Sequence, residues 1–165
     1  MGLKTLVSES EYQRTAHETP EPKYIEGEII ERAPPNTFHN EAVFALIAIL
    51  IRQASALFPR PELRIQVAPN RFRVIDLAIF DRGPLQAVPE IAPLVVIKVL
   101  SPDDSYAELM RKFNDYATLG IPHIWLCDPI AKRLSVYHDE SLEAVRQLEL
   151  SAHGVVIRPS NLFPA

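Results

Sequence analysis

The alternation of apolar and polar positions divides the chain into a series of elements. Ser8 followed by Glu11 has the spacing of a capping box and predicts a short helix over 8–17, stopped by Pro20 and Pro22. Residues 23–33 read as a hairpin with Gly27 at its turn, and Pro34-Pro35 end the second strand. Asn36 or Thr37 caps a long helix running to about Phe58. Over 42–51 that helix is apolar nearly all round, as expected of one buried on several sides or covered partly by another subunit. Residues 62–68 and 71–80 form an antiparallel pair around Pro69-Asn70, and a proline-rich loop fills 81–93.

Residues 94–100 are apolar apart from one lysine, which predicts a central strand covered on both faces. Ser105 and Glu108 again have capping-box spacing. Tyr106, Leu109, Met110, Phe113 and Tyr116 or Ala117 make a helical stripe, and Gly120 stops it, giving a helix over 105–119. A strand over 123–127 follows and turns at Asp128-Pro129. This strand–helix–strand unit places its two strands parallel in one sheet. Residues 133–138 and 142–150 read as antiparallel edge strands, and 159–165 as a loose tail. The expected class is α/β (α+β): a mixed central sheet flanked by helices, with an N-terminal helix and hairpin. No repeat or linker divides the chain, so one domain is expected over 1–165, with 1–22 as an N-terminal extension.

Composition narrows the function classes. The chain has 165 residues, 47% hydrophobic and 23% charged, which excludes collagen-like, low-complexity and strongly disordered classes. The net charge of −4 counts against non-specific coating of nucleic acid, although Arg60, Arg64, Arg71, Arg73 and Arg82 could form a local phosphate-binding stretch. Cys127 is the single cysteine, so neither an internal disulfide nor a Cys/His zinc spacing exists. The first residues lack the apolar core of a secretory signal, and 42–51 is too short for a bilayer span of about 20 residues. The expectation is a cytoplasmic protein with no membrane partner.

Two charges interrupt apolar strand faces. Asp76 is the only charge among Phe72, Val74, Ala78 and Phe80, and Lys98 the only one among Leu94, Val96 and Leu100. An unpaired buried charge costs several kcal/mol by rough estimate, so each needs a partner, a metal or water. The two either pair with one another or mark the active end of a sheet. Lys112 lies four residues after Glu108, the spacing of a surface ion pair; it matters to a site only if its helix passes over the Asp76 end of the sheet. Glu28 in the hairpin and His39 in the first turn of the long helix are further candidates. No GxSxG elbow, GxxxxGK[ST] loop, GxGxxG or HExxH is present.

The segments YIEGEIIERAPP, FHNEAVFALIAIL, RFRVIDLAIF, PLVVIKVLSPDD and KFNDYATLGIPHIWLCDP, in that order and spacing, resemble the Uma-type restriction endonuclease family of the PD-(D/E)XK nuclease superfamily. The resemblance implies a restriction-endonuclease-like mixed sheet and Mg²⁺- or Mn²⁺-dependent hydrolysis of DNA phosphodiesters. It makes Asp76 the first metal ligand and Lys112 the helical lysine, with Glu28 and His39 at recurrent polar positions near the site. The chain departs from the family where VEVLSP becomes IKVLSP: Lys98 stands in place of a metal-binding glutamate. At about 4 Å two unit charges interact by roughly 4 kcal/mol at an effective dielectric near 20, so this exchange weighs heavily against metal binding. Asp103, Asp104 or Glu108 could compensate by entering the metal shell. The expectation is weak or absent cleavage, with either Mg²⁺ or Mn²⁺ or no ion bound. The alternative is a non-catalytic DNA- or protein-binding module on the same fold. A homodimer is expected in either case, since a two-fold pair suits duplex DNA and would cover the apolar helix.

Overall fold

Two left-handed residues close the first hairpin. Glu26 (φ 52°) and Gly27 (φ 90°) make the turn between β1 (Lys23–Ile25) and β2 (Glu28–Ile30), a twist that suits antiparallel strands. The computed structural model describes residues 6–14, 22–83 and 86–163. Before the hairpin, α1 (Glu9–Gln13) starts on the expected capping box: Ser8 accepts from the Glu11 N–H, and the Glu11 carboxylate accepts from the Ser8 N–H. It is shorter than the predicted 8–17, ending at Arg14, and Pro20 lies outside the described residues. Far from hanging off the fold, α1 buries Tyr12 against Tyr24 and Phe72, at ring separations of 4.9 and 5.3 Å.

Asn36 caps α2 (Thr37–Gln53), its side-chain oxygen accepting from the His39 N–H. The helix stops at Gln53, short of the expected Phe58, because Ala54 leaves helical geometry and Phe58 already opens β3 (Phe58–Ala68). Pro59 and Pro61 fit in that strand because it pairs only with β4 (Arg71–Phe80), which leaves its outer edge free of ladder bonds. β5 (Val95–Val99) is buried at every position. It runs antiparallel to β4 and parallel to β6 (His123–Asp128), with α3 (Tyr106–Thr118) as the crossover. Gly120 (φ 86°) ends that helix as expected.

β7 (Arg133–His138) and β8 (Ser141–Val145) complete an eight-stranded sheet of order β2-β1-β4-β5-β6-β7-β8, with β3 added on β4. The predicted single strand over 142–150 is two: β9 (Leu148–Leu150) turns away and pairs with β10 (Val155–Ile157) in a separate ribbon. Nor is the C-terminal stretch loose. Pro159–Leu162 forms α4, and Leu162 is buried in the core beneath α2.

Helices cover both faces of the sheet. α2 packs Leu46, Ile49 and Leu50 on a core that includes Leu77, Ile97, Val99 and Trp125, extended by the β9–β10 ribbon. α3 packs Leu109, Phe113 and Tyr116 on the opposite face against Ala78, Phe80, Val96 and Leu126. Cys127 is free and buried in the first core, where burial pushes its thiol up to about 12. It acts there as a small hydrophobe.

β4 creates the opening that matters for function. β3 follows one of its edges along its whole length. β1 meets the other edge at Arg71 and Phe72, and β5 joins that same edge only at Leu77, Ala78 and Ile79. Residues 73–76 therefore lie in a fork between two strands.

Candidate functional site

Asp76 sits in this fork, 2% exposed. Beyond the Leu77–Ile97 pair β5 parts from β4, and the Val99 N–H finds no ladder partner there. It donates instead to Asp76 Oδ2 at 2.8 Å. The Lys98 ammonium reaches the same oxygen at 2.9 Å and also donates to the Val99 carbonyl at 2.7 Å. His39 Nε2 lies 3.3 Å from Oδ2. The other oxygen, Oδ1, faces Arg32 Nη2 at 3.4 Å.

Arg32 is held from its far side by Glu62, whose carboxylate accepts from Nη1 at 2.8 Å. Glu62 takes a left-handed backbone (φ 47°) and interrupts the ladder between the Pro61–Leu77 and Leu63–Ile75 pairs, opposite Asp76. A non-glycine residue in that conformation inside a strand costs roughly 1–2 kcal/mol, strain of the kind that collects at functional sites. A second carboxylate completes the cluster. Asp104 Oδ2 accepts from Lys98 at 2.9 Å and from the Ser101 N–H at 2.8 Å, and its Oδ1 lies 3.5 Å from Lys112 Nζ.

The charges tune one another. Burial works to raise Asp76, but the Lys98 ammonium and His39 outweigh it and hold the carboxyl well below its usual range. Asp104 is also lowered, against burial, by Lys98 and the Ser101 N–H. Burial would lower Lys98, yet the two aspartates raise it. Lys112 is the exception. Burial and the neighbouring ammoniums of Lys98 and Lys23 push it down to about 8.

These side chains line a cavity of about 330 Å³ that also takes in Lys23, Asn36, Ser101 and Asp103. Four of the five residues singled out in the sequence meet here: Asp76, Lys98, Lys112 and His39. Glu28 does not. It stands opposite Ile25 in the hairpin and does not line the cavity. Lys112 is not the surface partner of Glu108, for it is buried and turned to Asp104. The Glu108 carboxylate turns to Arg73 and Arg111, so only the Ser105 half of the second capping box forms. Of the three possible compensating acids, Asp104 reaches the cluster, but as the acceptor of Lys98 and Lys112.

Arg32 was invisible to the strand pattern. Its one signal is indirect, since a buried carboxylate needs donors at both oxygens and Lys98 serves only Oδ2. The basic stretch does not form one surface: Arg64 and Arg73 are buried, Arg71 is half-buried, and Arg60 and Arg82 stay exposed. Arg64 lies over the Tyr12 ring at 3.8 Å, while Arg73 is spent on Asp115 and Glu108 and Arg71 on Asp115 and Glu26.

A divalent ion does not fit this donor set. Mg²⁺ requires carboxylate and water oxygens at close range. Asp76 Oδ2 already takes two N–H donors and faces His39, and the Lys98 ammonium stands between Asp76 and Asp104 at 2.9 Å from each, where an ion shared by the two carboxylates would sit. Among the described residues no three His, Cys, Asp or Glu side chains converge as a metal site would need.

The mixed, mostly antiparallel sheet flanked by helices is the restriction-endonuclease-like class of fold that the sequence resemblance implies. The chain belongs to the Uma2 family, described as "Putative restriction endonuclease", whose model matches residues 9–165. A crystal structure of "a putative nuclease belonging to DUF820 from Anabaena variabilis ATCC 29413" is 22% identical, covers 93% of this chain and 96% of its own, and superposes with a TM-score of 0.80. At that identity the likeness is one of fold. No curated protein matches the sequence. Among the described residues no helix is long and apolar enough to cross a membrane.

Proposed function

We propose that this chain is a nuclease-like protein directed at DNA in which the Lys98 ammonium takes the place of a divalent ion, so that Mg²⁺- or Mn²⁺-dependent phosphodiester hydrolysis is weak or absent. The observation that carries the reading is the 2.9 Å contact between Lys98 Nζ and Asp76 Oδ2. In this reading Asp76 is the retained acid. Lys112 and Arg32 are the groups that meet a phosphate entering the cavity, and His39 orients Asp76. Lys112 suits that role because an ammonium crowded by two others gains most from an approaching anion. A cytoplasmic setting belongs to the same reading, with the buried free thiol of Cys127 as its support. So does a two-fold pair of chains, which suits a two-stranded substrate.

Nicking of supercoiled plasmid in Mg²⁺ or Mn²⁺ tests the proposal. The unmodified chain is expected to leave plasmid at background, while Lys98→Glu is expected to nick it. Robust metal-dependent nicking by the unmodified chain would overturn the reading. DNA binding without cleavage by both chains would favour the module that only binds.

A further inference from the structure

The outward side of α2 is apolar and bare. Phe44 is 75% exposed and Ile51 58% exposed. They stand two helical turns apart, with half-buried Ile47 and Ala48 between them on the same side. Single exposed apolar residues are ordinary; a line of them along one helix marks a contact surface.

Charge says what covers it. Glu41 and Arg52 are eleven residues apart, about three turns, so they lie on the same flank of the stripe at its two ends. They carry opposite charges, and neither has an ion partner among the described residues. We propose that a second copy of this chain packs on this face with its α2 antiparallel, about a two-fold axis perpendicular to the helices.

That operation exchanges the ends of the helix and keeps the flank. It sets Glu41 beside the partner's Arg52 and, by symmetry, Arg52 beside the partner's Glu41. Centred between Ile47 and Ala48, it also lays Phe44 on the partner's Ile51 and leaves Glu41 offset from the partner's Arg52 by about 3 Å along the axis, within reach of two long side chains. A parallel pair would send the charges to opposite flanks and leave them unpaired. The face is thus self-complementary, as a two-fold contact requires. Asn36 and His39 line the cavity, whereas Glu41, Phe44, Ile51 and Arg52 do not, so the pairing leaves the site open.

This inference rests on the two-copy reading above and names its surface. Sedimentation equilibrium of the full chain over a concentration series tests it. The unmodified chain is expected to dimerise, and Phe44→Glu to be a monomer with unchanged circular dichroism. Glu41→Arg and Arg52→Glu are each expected to weaken association on the order of tenfold, and the double reversal to restore it. A monomer at every concentration would remove the two-copy reading itself and leave the face to a different protein. A dimer indifferent to Phe44→Glu and to the single reversals would overturn this surface alone. Weakening by both single reversals without restoration in the double would overturn the antiparallel arrangement.

Discussion

Asp76 is surrounded by groups that hold its charge: Lys98, His39, Arg32 and the Val99 N–H all lie within 3.4 Å of its oxygens. Removing one member of such a buried set leaves the others uncompensated. Asp76→Asn is therefore expected to cost about 3–5 kcal/mol, measured by urea denaturation. A loss near zero would show that the ion pair contributes nothing to the fold. Proton linkage separates the members of the cluster. Asp76 and Asp104 are lowered in the fold, so their stabilisation is present above the unfolded value near 4 and is lost as pH falls through the folded values. Lys98 is raised, so its contribution persists through neutral pH and is lost only as pH climbs past its folded value. Lys112 has the opposite sign. With a folded value of about 8 against roughly 10.4 when unfolded, Lys112 binds a proton more readily in the unfolded chain between them and adds stability as pH rises through that window. The lowered Lys23 also does so, while the raised Cys127 thiol acts in the opposite sense above roughly 8.5. Lys112→Met is expected to lower the slope of denaturation midpoint against pH between 8 and 10 relative to the unmodified chain. An unchanged profile would refute the crowding of ammoniums at the site. Asp76 and Lys98 were legible in the sequence because each is the only charge on an apolar strand face. Arg32 was not, since its place depends on β1 meeting β4, a pairing that no local pattern encodes.

Elements were legible where a local chemical signal sets them. Ser8 and Glu11 fix the start of α1, Gly27 fixes the hairpin turn, and the unbroken burial of β5 matches its apolar run. Ends without such a signal were misjudged. No glycine or proline stops α2 at Gln53, and Pro59 and Pro61 disguise the start of β3. The apparent tail failed for another reason: Pro159 reads as a breaker but sits in the first turn of α4, where its missing N–H costs nothing. If α4 closes the core as its packing indicates, Leu162→Ala should lower stability by about 2 kcal/mol in thermal or urea melts. A change within a few tenths would return the segment to the status of a tail.

At the scale of the molecule, the long-range pairing of β4 with three strands makes the site. β3 holds one edge while β1 and β5 share the other, and the cavity opens where those two separate. The family pattern gives the order of the segments, but the fork brings Arg32, Asp104 and Lys112 to Asp76. The central claim is that an internal ammonium holds the position of a divalent ion. Calorimetric titration of Mn²⁺ into the unmodified chain and into Lys98→Glu tests it most directly. The account predicts no saturable binding by the unmodified chain and a new one-site isotherm for the variant, with a melting temperature that rises with added Mn²⁺. Saturable one-site binding by the unmodified chain that Asp76→Asn abolishes would contradict it.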